Sequence, residues 1–146
     1  MRGPGANVKT QYAVQAVIYL ARQERLQVAP VSEIAAAVGI SPKFLEDILG
    51  ALRAAGIVQS RRGKEGGYQL VPSPAGLSVL ELAQVMEGPA AAAREPGGPI
   101  AQVTARAFDR ALDAATAALA ELTIEQLVEE ARRLEAERAA AYMYHL

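Results

Sequence analysis

Residues 31–71 read "VSEIAAAVGISPKFLEDILGALRAAGIVQSRRGKEGGYQLV". Ile34, Ala35 and Val38 recur at helical spacing, Ser32 offers a cap, and Gly39 stops the run. A second helix opens at once. Ser41 is placed to cap it, and Pro42 takes the first helical position, where the missing N–H costs nothing. Phe44, Leu45, Ile48, Leu49 and Leu52 give that helix one apolar face, and Gly56 ends it. Two helices joined by the short "VGIS" turn are the pattern of a helix-turn-helix. Next come two short β-prone runs, "IVQSR" and "YQLV", around "RGKEGG", which together read as a hairpin. A hairpin directly after a helix-turn-helix is the wing of a winged-helix domain. Its tip crowds Arg61, Arg62 and Lys64 around Gly63, Gly66 and Gly67. Such a loop is either a solvated turn or a finger for a polyanion. Its place after a capped helix favours the finger, since glycines let backbone approach phosphates and arginines enter a narrow minor groove.

Outward from this block, "VKTQYAVQAVIYLARQ" predicts a helix over residues 9–22 with Tyr12, Ala13, Ala16, Val17 and Leu20 inward. Downstream, Ser78 and Glu81 suggest a capping box for a short apolar helix ending at Gly88. Residues 88–99, "GPAAAAREPGGP", contain three Pro and three Gly and read as a linker. A long helix is expected from Ile100 to about Leu122. Along it Ala101, Ala105, Phe108, Leu112, Ala115, Leu119 and Leu122 step by three and four, as in a helix–helix seam. Thr123 and Gln126 form a second capping box for a helix to about Ala140, and "AAAYMYHL" closes the chain. The expected fold is mostly α with a small β-hairpin wing. A winged helix-turn-helix domain spans 1–87, a linker 88–99, and a helical dimerisation region with a C-terminal tail 100–146.

Composition removes whole classes of function. The 146 residues contain no Cys and one His, His145, so disulfides, thiol catalysis and thiolate-held clusters are excluded and no cofactor is expected. No nucleophile has a neighbouring base and no phosphate-binding loop occurs, so enzyme activity is not expected. No apolar run approaches a membrane span and no signal-peptide pattern opens the chain, which makes the cytoplasm the expected location and a membrane partner unexpected. The net charge of −1 conceals a split. Residues 1–76 hold nine Lys+Arg against five Asp+Glu, whereas residues 77–146 hold six against eleven. A basic front and an acidic back suggest polyanion contact in front.

Three stretches, "KTQYAVQAVIYLA", the block from Val31 to Leu70 and "TIEQL", resemble the Rrf2 family of bacterial winged-helix transcription regulators, over nearly the whole chain. The resemblance implies a homodimer on double-stranded DNA with a pseudo-palindromic operator, and repression as its effect. It implies DNA contacts from Lys9, Thr10 and Tyr12 at the start of the first helix. It implies further contacts from Ser41, Pro42, Lys43 and Glu46 on the recognition helix, and from Arg61, Arg62, Gly63 and Lys64 on the wing. Glu46 can accept from a cytosine amino group; its alternative is plain helix solvation. Phe108, Leu112, Ala115 and Leu119 are the expected dimer seam; the alternative is that they pack on their own domain. Cluster-bearing members carry three cysteines where this chain has "GPAAAAREPGGPIAQV", so the likeness is to the cysteine-free branch that controls cysteine metabolism through a complex with cysteine synthase. The resemblance makes Tyr142, Met143, Tyr144 and Leu146 a partner-binding tail; the alternative is that they pack on the body of the dimer or fray. The competing reading is a protein-interaction module that keeps the winged helix only as a scaffold.

Overall fold

The computed structural model describes residues 3, 5, 7–24, 27–88 and 97–145. Six helices, α1 (Val8–Ala21), α2 (Val31–Val38), α3 (Pro42–Ala54), α4 (Val79–Glu87), α5 (Pro99–Glu121) and α6 (Ile124–Tyr144), accompany two strands, β1 (Val58–Arg61) and β2 (Gly67–Leu70). Residues 89–96 of the expected linker lie outside the described residues.

Local chemistry explains most boundaries. Asn7 caps α1, its side chain accepting from the Lys9 N–H at 2.8 Å. Ser41 caps α3 by accepting from the Phe44 N–H at 3.2 Å, with Pro42 in the first turn as expected. Ser32 does not cap α2. That helix starts two residues earlier than such a cap would set, at Val31 after Pro30, and no side chain caps it. Proline's extended backbone at the entry leaves Ser32 already inside the first turn. α2 stops at Gly39, whose φ of 82° is left-handed. Only half of the expected box at α4 forms, because Ser78 accepts from the Glu81 N–H but the reciprocal bond is absent. The box at α6 is complete, with Thr123 and Gln126 bonded reciprocally at 3.0 and 3.2 Å.

One core joins these elements. Ala13, Ala16 and Val17 of α1, Ile34 of α2, Leu45, Ile48, Leu49 and Leu52 of α3, and Leu82 of α4 are fully enclosed. Burying each large aliphatic side chain contributes roughly 1.5–3 kcal/mol. Ile124 and Val128 of α6 belong to the same cluster, so the linker divides the sequence without dividing the core. An isolated antiparallel bridge pairs Ser78 with Thr123, with the Val79 N–H donating to the Leu122 carbonyl and the Ile124 N–H to the Leu77 carbonyl, both at 2.9 Å. Two helix N-caps therefore stand side by side and return α6 to the N-terminal domain. Farther along, Arg22 holds Glu135 through two hydrogen bonds of 2.6 and 2.7 Å. That guanidinium lowers the Glu135 carboxyl below the ordinary carboxylate range. The pair is solvent-exposed and adds little stability; it links the end of α1 to α6.

The hairpin pairs Val58 with Leu70, Gln59 with Gln69, Ser60 with Tyr68 and Arg61 with Gly67. Two strands alone are marginal in water. Here Ala29, in the segment between α1 and α2, adds a third line of pairing. It exchanges hydrogen bonds with Tyr68 at 2.9 and 2.8 Å. The backbones meet so closely that a Cβ on Gly67 would collide with the Ala29 carbonyl. Gly67→Ala is therefore expected to break this bridge and cost roughly 1–3 kcal/mol of stability. Urea denaturation followed by circular dichroism checks it, and an unchanged midpoint would show that the bridge does not anchor the hairpin.

Candidate nucleic-acid interface

α3 feeds directly into the hairpin. The Ile57 N–H reaches back to the Leu52 carbonyl at 2.9 Å, and the Val71 N–H closes the far side on the Ile57 carbonyl at 2.9 Å. The recognition helix and the wing are thus one continuous piece of chain, held by buried Leu52, Ile57 and Val58. The inward face of α3 is committed to the core. Ser41, Pro42, Lys43, Glu46 and Asp47 are all exposed on its other side. Ser41's oxygen already accepts the cap bond, which leaves its hydroxyl proton to donate.

The wing turns at Gly63, where φ is 117°, and the Gly66 N–H donates to the Gly63 carbonyl at 2.9 Å. Arg61, Arg62, Gly63 and Lys64 are exposed. Among the described residues, ion pairs are formed by Arg22, Arg132 and Arg133, and none by Lys43, Arg61, Arg62 or Lys64. The cations of the recognition helix and wing are therefore not neutralised by described neighbours.

The first helix departs from expectation. Thr10 is 1 % exposed and its hydroxyl donates to Glu87 Oε2 at 3.1 Å, so it faces inward and does not reach a surface partner. The reason is spacing: Thr10 lies on the same face as Ala13 and Val17, three and seven residues on. Tyr12 is half-buried and packs edge-on against Phe44, ring centroids 5.8 Å apart, which ties α1 to the recognition helix. Lys9 stays on the capped first turn, half-buried. Two residues absent from the sequence reading matter here, Asn7 as the cap of α1 and Glu87 as the acceptor for Thr10. Asn7 was legible as a capping residue one place before an apolar period; nothing in sequence joins Glu87 to Thr10, 77 residues away.

The expected seam on α5 is only partly open. None of its 23 residues is buried, and Ile100, Val103 and Phe108 are 86, 66 and 52 % exposed. Leu112, Ala115 and Leu119 are half-covered. Leu119 packs against the core, and the chain near Gly3 and Gly5 runs beside Leu112 and Leu119. The C-terminal helix runs past Ala140 to Tyr144, longer than expected, because the Ala139–Ala141 run contains no stop signal. Tyr142, Met143 and Tyr144 are therefore helical, and 68, 74 and 91 % exposed. Leu146 lies outside the described residues.

A family model described as iron-dependent transcriptional regulator matches residues 6–130. A Mycobacterium tuberculosis relative classed among HTH-type transcriptional regulators is 40 % identical over 91 residues, 62 % of this chain and 56 % of the relative. The chain spans little more than half the length of these curated relatives that it matches. The solved structure of CymR, described as the global cysteine regulator of Bacillus subtilis, is similar with a TM-score of 0.74 and 28 % identity, covering 85 % of this chain and 95 % of that one. The T. potens IscR structure is similar with a TM-score of 0.73 and 28 % identity, covering 86 % and 87 %.

The residues of this chain do not fit the iron centre that the family description implies. There is no cysteine and only His145 offers an imidazole, and no described cluster of three His, Cys, Asp or Glu could hold a metal. Anaerobic incubation with iron and sulfide is expected to leave the protein colourless. A stoichiometric iron-containing visible chromophore would contradict this donor-set argument. The match over residues 6–130, with a helix-turn-helix, a wing and relatives named as regulators and not as enzymes, identifies the chain as a member of the Rrf2 family of transcriptional regulators.

Proposed function

We propose that this protein is a sequence-specific DNA-binding transcriptional repressor acting as a homodimer. The observation that carries the reading is the continuous recognition helix and wing, bearing Lys43, Arg61, Arg62 and Lys64 outside any described ion pair. In this reading α3 enters the major groove. Pro42 and Lys43 lie at its leading turn, Ser41 and Lys43 hold phosphates, and Glu46 accepts from a cytosine amino group. The wing lies along the adjacent minor groove, where Gly63 permits close backbone approach and Arg62 inserts. Lys9 meets the phosphate backbone from α1. Two copies pair along α5 through Phe108, Leu112, Ala115 and Leu119, presenting two recognition helices to a pseudo-palindromic site. The exposure of Ile100, Val103 and Phe108 on a helix about 35 Å long supports that pairing.

Arg62→Ala is expected to weaken binding to a selected operator duplex by roughly 1–3 kcal/mol at fixed salt, through loss of a charge-assisted contact in a narrow groove. A titration that finds unchanged affinity in a folded mutant would remove the wing from the interface and favour the scaffold reading.

The regulatory partner in this proposal is cysteine synthase, recognised by the C-terminal tail. The likeness to a structure described as a global cysteine regulator supports it, as does the exposure of Tyr142, Met143 and Tyr144. In this reading the exposed aromatic side chains of the last helical turn enter an apolar pocket of that enzyme. Calorimetry is expected to show binding of the full chain to the cognate enzyme and loss of binding when Tyr144 to Leu146 are removed. Equal binding of both, or binding of neither, would make the tail structural.

A further inference from the structure

Glu87 is the last residue of α4, yet its carboxylate serves the first helix. A single oxygen, Oε2, accepts from the Gly5 N–H at 2.9 Å and from the Thr10 hydroxyl at 3.1 Å. Both donors flank the N-terminus of α1, one just before its Asn7 cap and one in its first turn. The first turn of α1 carries no acidic residue of its own. Negative charge complements the positive end of a helix dipole, and here it comes from another element. Thr10 is 1 % exposed, so without Glu87 its hydroxyl would be left enclosed with a donor to satisfy.

The same few residues touch a third element. Gly5 has a φ of 80°, and a Cβ there would stand 3.0 Å from Leu119 Cδ1 of α5. The approach to α1 is thus held between the end of α4 and the side of α5. Lys9 lies between the two Glu87 contacts in sequence, on the turn that they fix.

We propose that Glu87 is the positioning residue for the α1 contact with DNA: it holds the first turn so that Lys9 meets a phosphate. This rests on the DNA-binding reading above. The carboxylate touches no nucleic acid itself. It acts through hydrogen-bond acceptance, which an amide oxygen at the same place can reproduce.

The test uses the full chain and a duplex that the wild-type protein selects from a random pool. Affinity is measured across a salt series for wild type, Glu87→Ala, Glu87→Gln, Lys9→Ala and the Lys9→Ala/Glu87→Ala pair. Loss of one phosphate contact per protomer lowers the slope of log affinity against log salt by about 1, hence by about 2 for a dimer. Glu87→Ala is expected to show this fall with a loss of affinity on the order of tenfold at moderate salt. Lys9→Ala should add nothing in the Glu87→Ala background. Glu87→Gln should restore the wild-type slope. Thr10→Val, which removes the donor while filling the same space, should lower the slope in the same direction and serves if Glu87→Ala does not fold. An unchanged slope, full additivity with Lys9→Ala, or Gln behaving like Ala would overturn the proposal while leaving DNA binding intact. Failure of the wild-type protein to select any duplex would instead overturn the DNA-binding reading and this inference with it.

Discussion

The paired exchange between Ala29 and Tyr68 is the constraint on which the presentation of the wing depends. A two-stranded hairpin of four residues a side has little of its own to hold it. Its outward residues on β1, Gln59, Ser60 and Arg61, are exposed, and only Val58 enters the core from that strand. The bridge to Ala29 ties the second strand to the segment that leads into α2, and Ala29 is itself wholly enclosed. Gly67 is required because the two backbones meet with no room for a side chain. Arg61, paired with Gly67, and Arg62 beyond it thus project from a frame fixed to the helix-turn-helix.

A second constraint acts at the other end of the domain. Ser78 and Thr123 each cap a helix, and their backbones pair with one another. Leu77 and Ile124, beside them, are enclosed. This pairing brings α6 back across α1, where Arg22 and Glu135 meet. Between Ser78 and Thr123 in sequence lies α5, which contributes no buried residue and leaves its apolar positions open or half-open. An amphipathic helix so placed is stabilised chiefly by what packs on it, which is why a second copy is the occupant proposed for it.

What was legible in the sequence was the local chemistry. Ser41 with Pro42, Gly39, Thr123 with Gln126, and the apolar period of α3 each specify geometry within a few residues, and each forms. The wing was legible because glycines and β-formers alternate within a dozen positions. The illegible features were those made by tertiary contact. Ala29 contributes one residue of pairing, too short for any period. Thr10 was assigned to DNA by the family resemblance; the helical face it shares with Ala13 and Val17 buries it, and Glu87, the acceptor for its hydroxyl, lies far away in sequence. Ser32 was displaced as a cap by Pro30, and the end of α6 was placed early because the Ala-rich run offers no punctuation. Ser41, Pro42, Lys43 and Glu46 were legible as exposed positions, whereas the duties proposed for them come from the family resemblance. The family description names iron, whereas this chain, without cysteine, offers no soft ligand set for an iron–sulfur cluster.

The central claim is that recognition helix and wing engage duplex DNA together, twice per dimer. Hydroxyl-radical footprinting on a selected operator tests it most directly, because the reagent reports the minor-groove edge of the backbone nucleotide by nucleotide. The account predicts two symmetry-related sets of protections. Each is a minor-groove stretch beside a major-groove half-site, and the half-sites lie about one helical turn, or a multiple of it, apart. A single protected half-site, or protection with no minor-groove component, would contradict it.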